Sequence, residues 1–478
     1  MKLLILGIDG GDIDIISLMD MPFTQKLLSA RTSINIREDL WSRGWSEIAT
    51  GMHGVDTSAF YSKPKLDGTP SFTQSYSYDD YKKNSKCILL WEKLNQLGYK
   101  VGFVNMPTTI PAPKVDGFFI SGAGSGFSPS SRVPEVACFP KEISYDLLKA
   151  NYIWEQRFNI SGIRDFDVFI KECIQAVIQR TEIFISLSKK FDIDVGFIMH
   201  REFSTLTNLF ANIIQPDRSL KGSSKRAQMR ISHFYRVLDD FIKVTMKELA
   251  PSHIVVVSDH SVAKYMHSMN LNDFLLKNGY LFNHATRNYK KSLRSRMKRS
   301  VIEKIRKKII PGYRSGLGEW EIEQIDFDKT IAFSHNYVPG IYLNDERFLN
   351  KISSTEREDL LERIIHLFNN TAEAKKYKLS AKPYRKFFGD SLAHDELPDI
   401  WIDIPDTIFP EQKGAFIQLN PYYKLYETLT TAPRDLLTGI KGRKALCFVE
   451  KEFVNGLDLN NTYDLTVAYN LILNHFKN

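Results

Sequence analysis

Four short runs, Leu3–Ile8, Val101–Val104, Val195–Met199 and Ile254–Val257, are apolar, rich in Val, Ile and Phe, and lack any period-two alternation. A strand with one face in water alternates, whereas a strand covered on both faces does not. These runs therefore predict buried parallel strands. Segments with helical spacing separate them, around Ile88–Leu97, Val168–Lys189 and Ile231–Leu249. That rhythm predicts an α/β fold: a mostly parallel central sheet with helices on both faces. Ile400–Ile404 and Ala445–Val449 are further candidate strands.

A chain of 478 residues can bury one large core, or one core with an inserted subdomain. With 43% hydrophobic and 25% charged residues, dominant disorder is excluded. The N-terminal run Leu3–Ile8 is too short for a signal-peptide core, and no segment is long enough to span a membrane. The four cysteines, Cys87, Cys138, Cys173 and Cys447, form no CxxC pair, so a reduced, cytoplasmic setting is expected and no cysteine is a catalytic candidate. Without repeats or low-complexity linkers, residues 1–478 are read as a single composite domain. The net charge of +8 is concentrated: Arg287 to Lys308 holds eleven basic residues and one acid, Glu303. Val301, Ile302, Ile305 and Ile309 are spaced for one helical face, so 284–318 is expected to be a basic helical insertion or cap. It is a candidate for binding a polyanion or an anionic surface, against the plainer alternative of a solvated positive face.

Open α/β sheets hold their ligands beyond the carboxyl ends of the strands. The first run leads into Asp9-Gly10-Gly11-Asp12, the third into His200-Arg201-Glu202, and the fourth into Ser258-Asp259-His260. Three strands thus deliver acids or imidazoles to one edge. Asp9, Asp259 and His260 offer the carboxylate and imidazole donors that a divalent cation takes, with one position left for a fourth ligand. Against this stands the common use of an Asp after a strand as a helix cap. Gly122-Ala123-Gly124-Ser125-Gly126 is followed by no Gly-Lys-Ser/Thr, and Gly7, Gly10 and Gly11 do not form GxGxxG. A P-loop and a dinucleotide site are both excluded.

Gly7-Ile8-Asp9-Gly10-Gly11-Asp12, Trp45-Ser46-Glu47-Ile48-Ala49-Thr50-Gly51 and Ser258-Asp259-His260, in this order, resemble the type I phosphodiesterase/nucleotide pyrophosphatase branch of the alkaline phosphatase superfamily. Stretches at 105–122, 270–281 and 340–344 are similar to the same branch, so the resemblance runs from about residue 3 to 450. It implies an alkaline-phosphatase-like fold and a metal-dependent hydrolase with a Thr or Ser nucleophile between two metals, usually zinc. Asp9, Asp259 and His260 match the ligands of one site, which implies a divalent metal, zinc first, with Mn or Mg as alternatives. The nucleophile matches Ser42 with a one-residue displacement; strict spacing lands on Trp41, and Ser46 is the fallback. The second site departs from the pattern. Its Asp, its His four residues on, and its C-terminal His correspond to Ser204, Asn208 and Lys441. His200, Glu202 and His335 are the candidate substitute ligands, with His267 and His394 behind them.

Two functions follow from the resemblance. One is a phosphoric-ester hydrolase or phosphoryl-group transferase with Ser42 on one metal and Lys441 as a fixed positive charge. The other is a catalytically inactive relative that binds a phosphorylated or polyanionic ligand. The substrate expected in either case is anionic, and no nucleic-acid motif is present.

Overall fold

The computed structural model describes residues 1–122, 133–154, 163–217, 219–284, 324–350, 352–412, 414–420, 423 and 437–476. The chain divides into two compact units, where the sequence reading takes one composite domain. The first comprises Met1–Ala59, Tyr76–Lys264 and Pro421–Asn478, and the second Phe60–Ser75 and Tyr265–Asn420. The basic stretch from Arg287 to Lys308 lies outside the described residues.

The first unit is built on an eight-stranded sheet. In chain order its strands are β1 (Leu3–Ile8), β2 (Thr32–Ser33), β3 (Val101–Met106), β4 (Gly117–Ser121), β5 (Cys138–Phe139), β6 (Val195–His200), β7 (His253–Val257) and, after two strands of a separate ribbon, β10 (Cys447–Val449). The ribbon pairs β8 (Ser261–Lys264) with β9 (Gly439–Gly442) antiparallel. Across the sheet the order is β2-β10-β7-β1-β6-β3-β4-β5. The five central strands run parallel, and β2, β10 and β5 supply antiparallel edges.

Every residue of β1, β3 and β6 is buried, which is why these strands carry no alternation. One face packs beneath the long helices α2 (Ile163–Lys190) and α4 (Gly222–Leu249), with Leu4, Leu6, Ile198, Phe184 and Leu238 in that core. The other packs beneath α1 (Gly44–Thr50) and Thr466–His475, with Leu3, Ile5, Phe197, Trp45 and Leu471. The fourth helix the site depends on is α3 (Glu202–Ile214), which follows β6 directly. All four cysteines are buried free thiols. Among the described residues no helix is long and apolar enough to cross a membrane.

The second unit holds a four-stranded sheet that includes Ile400–Asp403. It is stapled by a buried network in which Arg347 bonds Asp345 at 2.9 Å and Arg357 bonds Asp399 at 3.0 Å.

Strand β4 enters the sheet through Gly117 at φ +129°, and a Cβ there would lie 2.0 Å from the Val101 carbonyl oxygen. Both the backbone angle and the contact exclude a side chain. Gly117→Ala is expected to cost about 2–4 kcal/mol in urea unfolding, because strain and overlap fall on one residue. Gly98→Ala is the control: it shares a positive φ of +85° but meets nothing within 4 Å, and it should cost markedly less.

Candidate metal centre

Parallel register sets the site. Residue Ile8 of β1 pairs with His200 of β6, and Gly7 pairs with Val257 of β7, so the three strands end at one level. Asp9 follows β1, and Asp259 and His260 follow β7. Capping falls to Asp12 instead, which accepts from the Asp14 and Ile15 amides at 2.9 and 3.1 Å and starts Ile13–Leu18. One ligand atom from each of Asp9, Asp259 and His260 lies within 4.8 Å of the others, and all three residues are buried.

The donor chemistry fits a divalent cation. His260 Nδ1 lies 2.6 Å from the Ser261 carbonyl oxygen, which can only accept, so the ring proton sits on Nδ1. The Nε2 lone pair then faces Asp259 Oδ2 at 3.5 Å and Asp9 Oδ1 at 3.9 Å. A lone pair set among carboxylate oxygens calls for a cation. Burial lowers the His260 pKa, against the pull of Asp259, and keeps the ring neutral as a ligand must be. Burial and the neighbouring Asp259 charge raise Asp9. Burial would also raise Asp259, but His260, Lys441 and the Gly10 amide at 3.3 Å outweigh it and hold it low.

Two further donors reach the carboxylates. The Trp45 indole N–H donates to Asp9 Oδ2 at 3.0 Å, and Lys441 Nζ lies 3.4 Å from Asp259 Oδ2. Lys441 stands on β9. Burial lowers its pKa, while Asp259 and Asp9 oppose that shift.

The residues at the second-site positions gather at this same edge. A Cβ on Gly10 would meet Ser204 Cβ at 2.6 Å and His260 Cε1 at 3.1 Å, so Ser204 sits directly against the cluster. Ser204 and Asn208 are one turn apart on α3. The Asn208 carbonyl accepts from the Thr438 amide at 3.0 Å, and a Cβ on Gly439 would lie 3.2 Å from Asn208 Cα. Helix α3 and strand β9 are thereby clamped together, with Lys441 two residues along the strand.

Ser42 lies between Asp39 and His53. Its hydroxyl donates to Asp39 Oδ2 at 2.9 Å, and its oxygen lies 3.5 Å from His53 Nε2. Asp39 Oδ1 also accepts from the Trp41 and Ser42 amides, both at 2.8 Å. Trp41 is fully buried. Ser46 is fully buried too, its hydroxyl 2.7 Å from the Tyr81 hydroxyl. Beside His53 lie Glu47, with Oε1 at 3.6 Å, and Glu38, both nearly inaccessible. Burial, then the Asp39 charge, push Glu38 up to about 7. Burial and the Glu38 charge raise Glu47 further. Burial would lower His53, but Asp39, Asp464 and Glu38 raise it to about 9. The 3.3 Å contact from the Val55 amide to His53 Nδ1 asks for a lone pair there. That long contact is the weaker claim against three acids, and the ring is taken as the imidazolium.

Among the described residues, none of the candidate substitute ligands joins the group of Asp9, Asp259 and His260. Glu202 forms a fully buried ion pair with Arg180 at 2.5 Å, inside the core rather than at the cluster. His200 points to the same sheet face as Ile198, by the period-two rule. Burial and Arg180 lower its pKa to about 4, and among the described residues neither ring nitrogen finds a hydrogen-bond partner. His335 belongs to the second unit, where it stacks on Phe72 at 4.0 Å and meets the Ser62 hydroxyl at 3.0 Å. There too, His267 lies beside Tyr377 and His394 meets the Phe388 carbonyl.

Sequence reasoning passed over Trp45 as a partner of Asp9, Arg201 as a neighbour of the centre, and the Asp39–His53 pair around Ser42. Only the last had a signal: Asp39 precedes Ser42 by three residues, the spacing of a side chain that caps a turn.

No protein-family model and no curated protein matches the chain. Solved structures do. Phosphonoacetate hydrolase from Sinorhizobium meliloti 1021 in complex with phosphonoformate matches with a TM-score of 0.53 at 10% identity, covering 98% of this chain and 94% of that one. The same enzyme in complex with phosphonoacetate gives 0.52 over the same shares. Murine ectonucleotide pyrophosphatase/phosphodiesterase 5 covers 100% of this chain and 95% of its own at 11% identity, with a TM-score of 0.49. The fold is alkaline-phosphatase-like, as the sequence resemblance implies.

Two outcomes test this local chemistry. Glu202→Gln strands the Arg180 charge in the core and should cost about 3–5 kcal/mol, with Arg180→Met/Glu202→Leu recovering most of it. A destabilisation below 1 kcal/mol would place Glu202 outside the pair. The folded pKa of His53 lies above its unfolded value of 6.5, so its contribution is complete below pH 6.5 and disappears as pH rises through about 9. Urea unfolding should therefore show a loss of roughly 2 kcal/mol between pH 7 and 9, allowing for partial solvent screening. His53→Asn should flatten that slope; an unchanged slope would assign the loss to another group.

Proposed function

We propose that the chain is a metal-dependent phosphoric-ester hydrolase or phosphoryl-group transferase that works with a single divalent cation, zinc first, on Asp9, Asp259 and His260. The observation that carries this reading is the convergence of three buried ligand atoms within 4.8 Å on a fold shared with a phosphonate hydrolase. A mixed set of two carboxylates and one imidazole suits zinc, and also admits manganese or magnesium.

The bound cation would supply Lewis-acid stabilisation of a phosphoryl oxygen. The chain's own residues divide the rest. Ser42 is the nucleophile: its Oγ forms the bond to phosphorus as the ester P–O bond breaks, and its proton passes toward Asp39 along the 2.9 Å hydrogen bond. Lys441 brings one positive charge where the family keeps a second dication, and its ammonium can donate a proton to the leaving oxygen. A lysine generates no metal hydroxide, so a phosphoryl-Ser42 species would turn over slowly in water or pass its group to another acceptor. Hydrolysis of simple phosphodiesters should therefore be weak.

A second reading, a binding protein without turnover, is favoured by one feature. Asp9 Oδ2 and Asp259 Oδ2 already face protein donors, Trp45 and Lys441. Elemental analysis of the purified protein and aryl-phosphate kinetics separate the readings. About one equivalent of metal is expected, lost in Asp259→Asn. Lys441→Met should keep the metal but slow turnover by about 10²–10³-fold. Metal with no turnover, and no phosphate trapped on Ser42, would select the second reading. Unchanged metal in Asp259→Asn would remove the site assignment.

A further inference from the structure

Lys221 to Leu238 holds five Lys/Arg residues and no acid. Nearly all of this stretch forms the first half of α4, whose inward positions Ala227, Ile231, Phe234, Tyr235 and Leu238 are buried in the core of the first unit. Helical spacing turns Lys225, Arg226, Met229, Arg230 and Arg236 outward, and all five are exposed. Among the described residues neither Lys225 nor Arg226 meets a carboxylate; the Lys225 ammonium donates to Gln228 Oε1 at 3.0 Å. Arg230 lies 3.5 Å from Asp167 on α2, and Arg236 pairs with Asp20. Both pairs are solvent-exposed, where the attraction is weak. Asp239, which ends the stretch, turns inward to the Thr24 amide and hydroxyl, so Asp240 is the first exposed acid of the helix. Large apolar side chains accompany these charges. Met229 is 64% exposed between Arg226 and Arg230. Val168, 55% exposed, follows the Asp167 that meets Arg230. Leu18, 53% exposed, precedes Met19, whose Sδ lies 3.9 Å from the Ser232 hydroxyl.

We propose that the outward face of the first half of α4, with Val168 and Leu18 beside it, docks on a membrane leaflet that carries anionic phospholipids. This inference is independent of the metal centre. Charge and apolarity together choose the partner. A soluble polyanion answers the Lys and Arg side chains but gives an exposed Met, Val and Leu nothing to bury against. A leaflet answers both: its anionic headgroups meet the ammonium and guanidinium groups, and the layer just beneath them takes up the thioether and branched side chains. The inward face of α4 stays in the core, so the helix lies on the leaflet as part of the folded unit. Among the described residues no helix can cross a membrane, so the contact described here is peripheral. Every residue named belongs to the first unit.

The test is co-sedimentation of the full-length protein with two kinds of vesicle. One is phosphatidylcholine alone, and the other contains about 30% phosphatidylserine, both at about 0.1 M salt so that surface charge is not fully screened. Partition onto the anionic vesicles should exceed partition onto the neutral ones by at least about tenfold. Lys225→Gln/Arg226→Gln should weaken it by about 25-fold, since each basic side chain near an anionic leaflet contributes about fivefold. Met229→Ser should weaken it by about threefold or more, through lost apolar burial. All three positions are exposed, so circular dichroism should be unchanged. The substitutions leave the basic residues from Arg287 to Lys308 in place, so a loss is assigned to α4. Wild-type partition of the Lys225→Gln/Arg226→Gln protein, or equal binding to the two vesicles, would overturn the proposal. Wild-type partition of Met229→Ser beside a weakened charge variant would show that a soluble polyanion satisfies the face equally, and would overturn the lipid assignment.

Discussion

Strand β1 is hydrogen-bonded on both sides in parallel register, to β6 and to β7, and the centre depends on that arrangement. Parallel pairing places the carboxyl ends of adjacent strands level, so Asp9, His200-Arg201 and Asp259-His260 emerge together from distant parts of the sequence. The close approaches are maintained by missing side chains. Gly10 yields to Ser204 and His260, Gly44 to the Asp259 backbone, and Gly439 to Thr207 and Asn208. Each glycine lets one more element reach the same point.

Electrostatics then follows from burial. Two carboxylates withdrawn from water need compensation, and the structure supplies it in fixed donors: the Gly10 amide, the Trp45 indole and the Lys441 ammonium. The His260 tautomer, set by the Ser261 carbonyl, turns an acceptor nitrogen toward the two carboxylates. Around Ser42 the balance is different. Glu38 and Glu47 are held above the ordinary carboxylate range, and His53 is held positive by Asp39. The first environment gathers two carboxylates and a neutral imidazole that could hold a divalent cation, and the second keeps a hydroxyl against an ionised carboxylate.

Much of this was legible in the sequence, for physical reasons. Leu3–Ile8 is a strand over that whole range, and the runs beginning at Val101 and Val195 start where expected, because uninterrupted apolar runs have few other fates. Helix α4 starts at Gly222 rather than Ile231, because its first turns are polar and carry no periodic signal. Ala445–Val449 contributes only Cys447–Val449, as an antiparallel edge. The convergence of Asp9, Asp259 and His260 was legible because parallel strands end at one edge. Glu202 shares that position in the sequence, yet its side chain turns into the core to meet Arg180, an outcome that depends on a partner 22 residues away.

The account's central claim is one cation with a lysine in place of a second. Anomalous diffraction from crystals grown with zinc in excess tests it most directly. The account predicts a single anomalous peak, bonded to Asp9, Asp259 and His260 and flanked by the Lys441 ammonium. Two peaks about 3.5–4 Å apart, the spacing of a two-metal clamp, would contradict it.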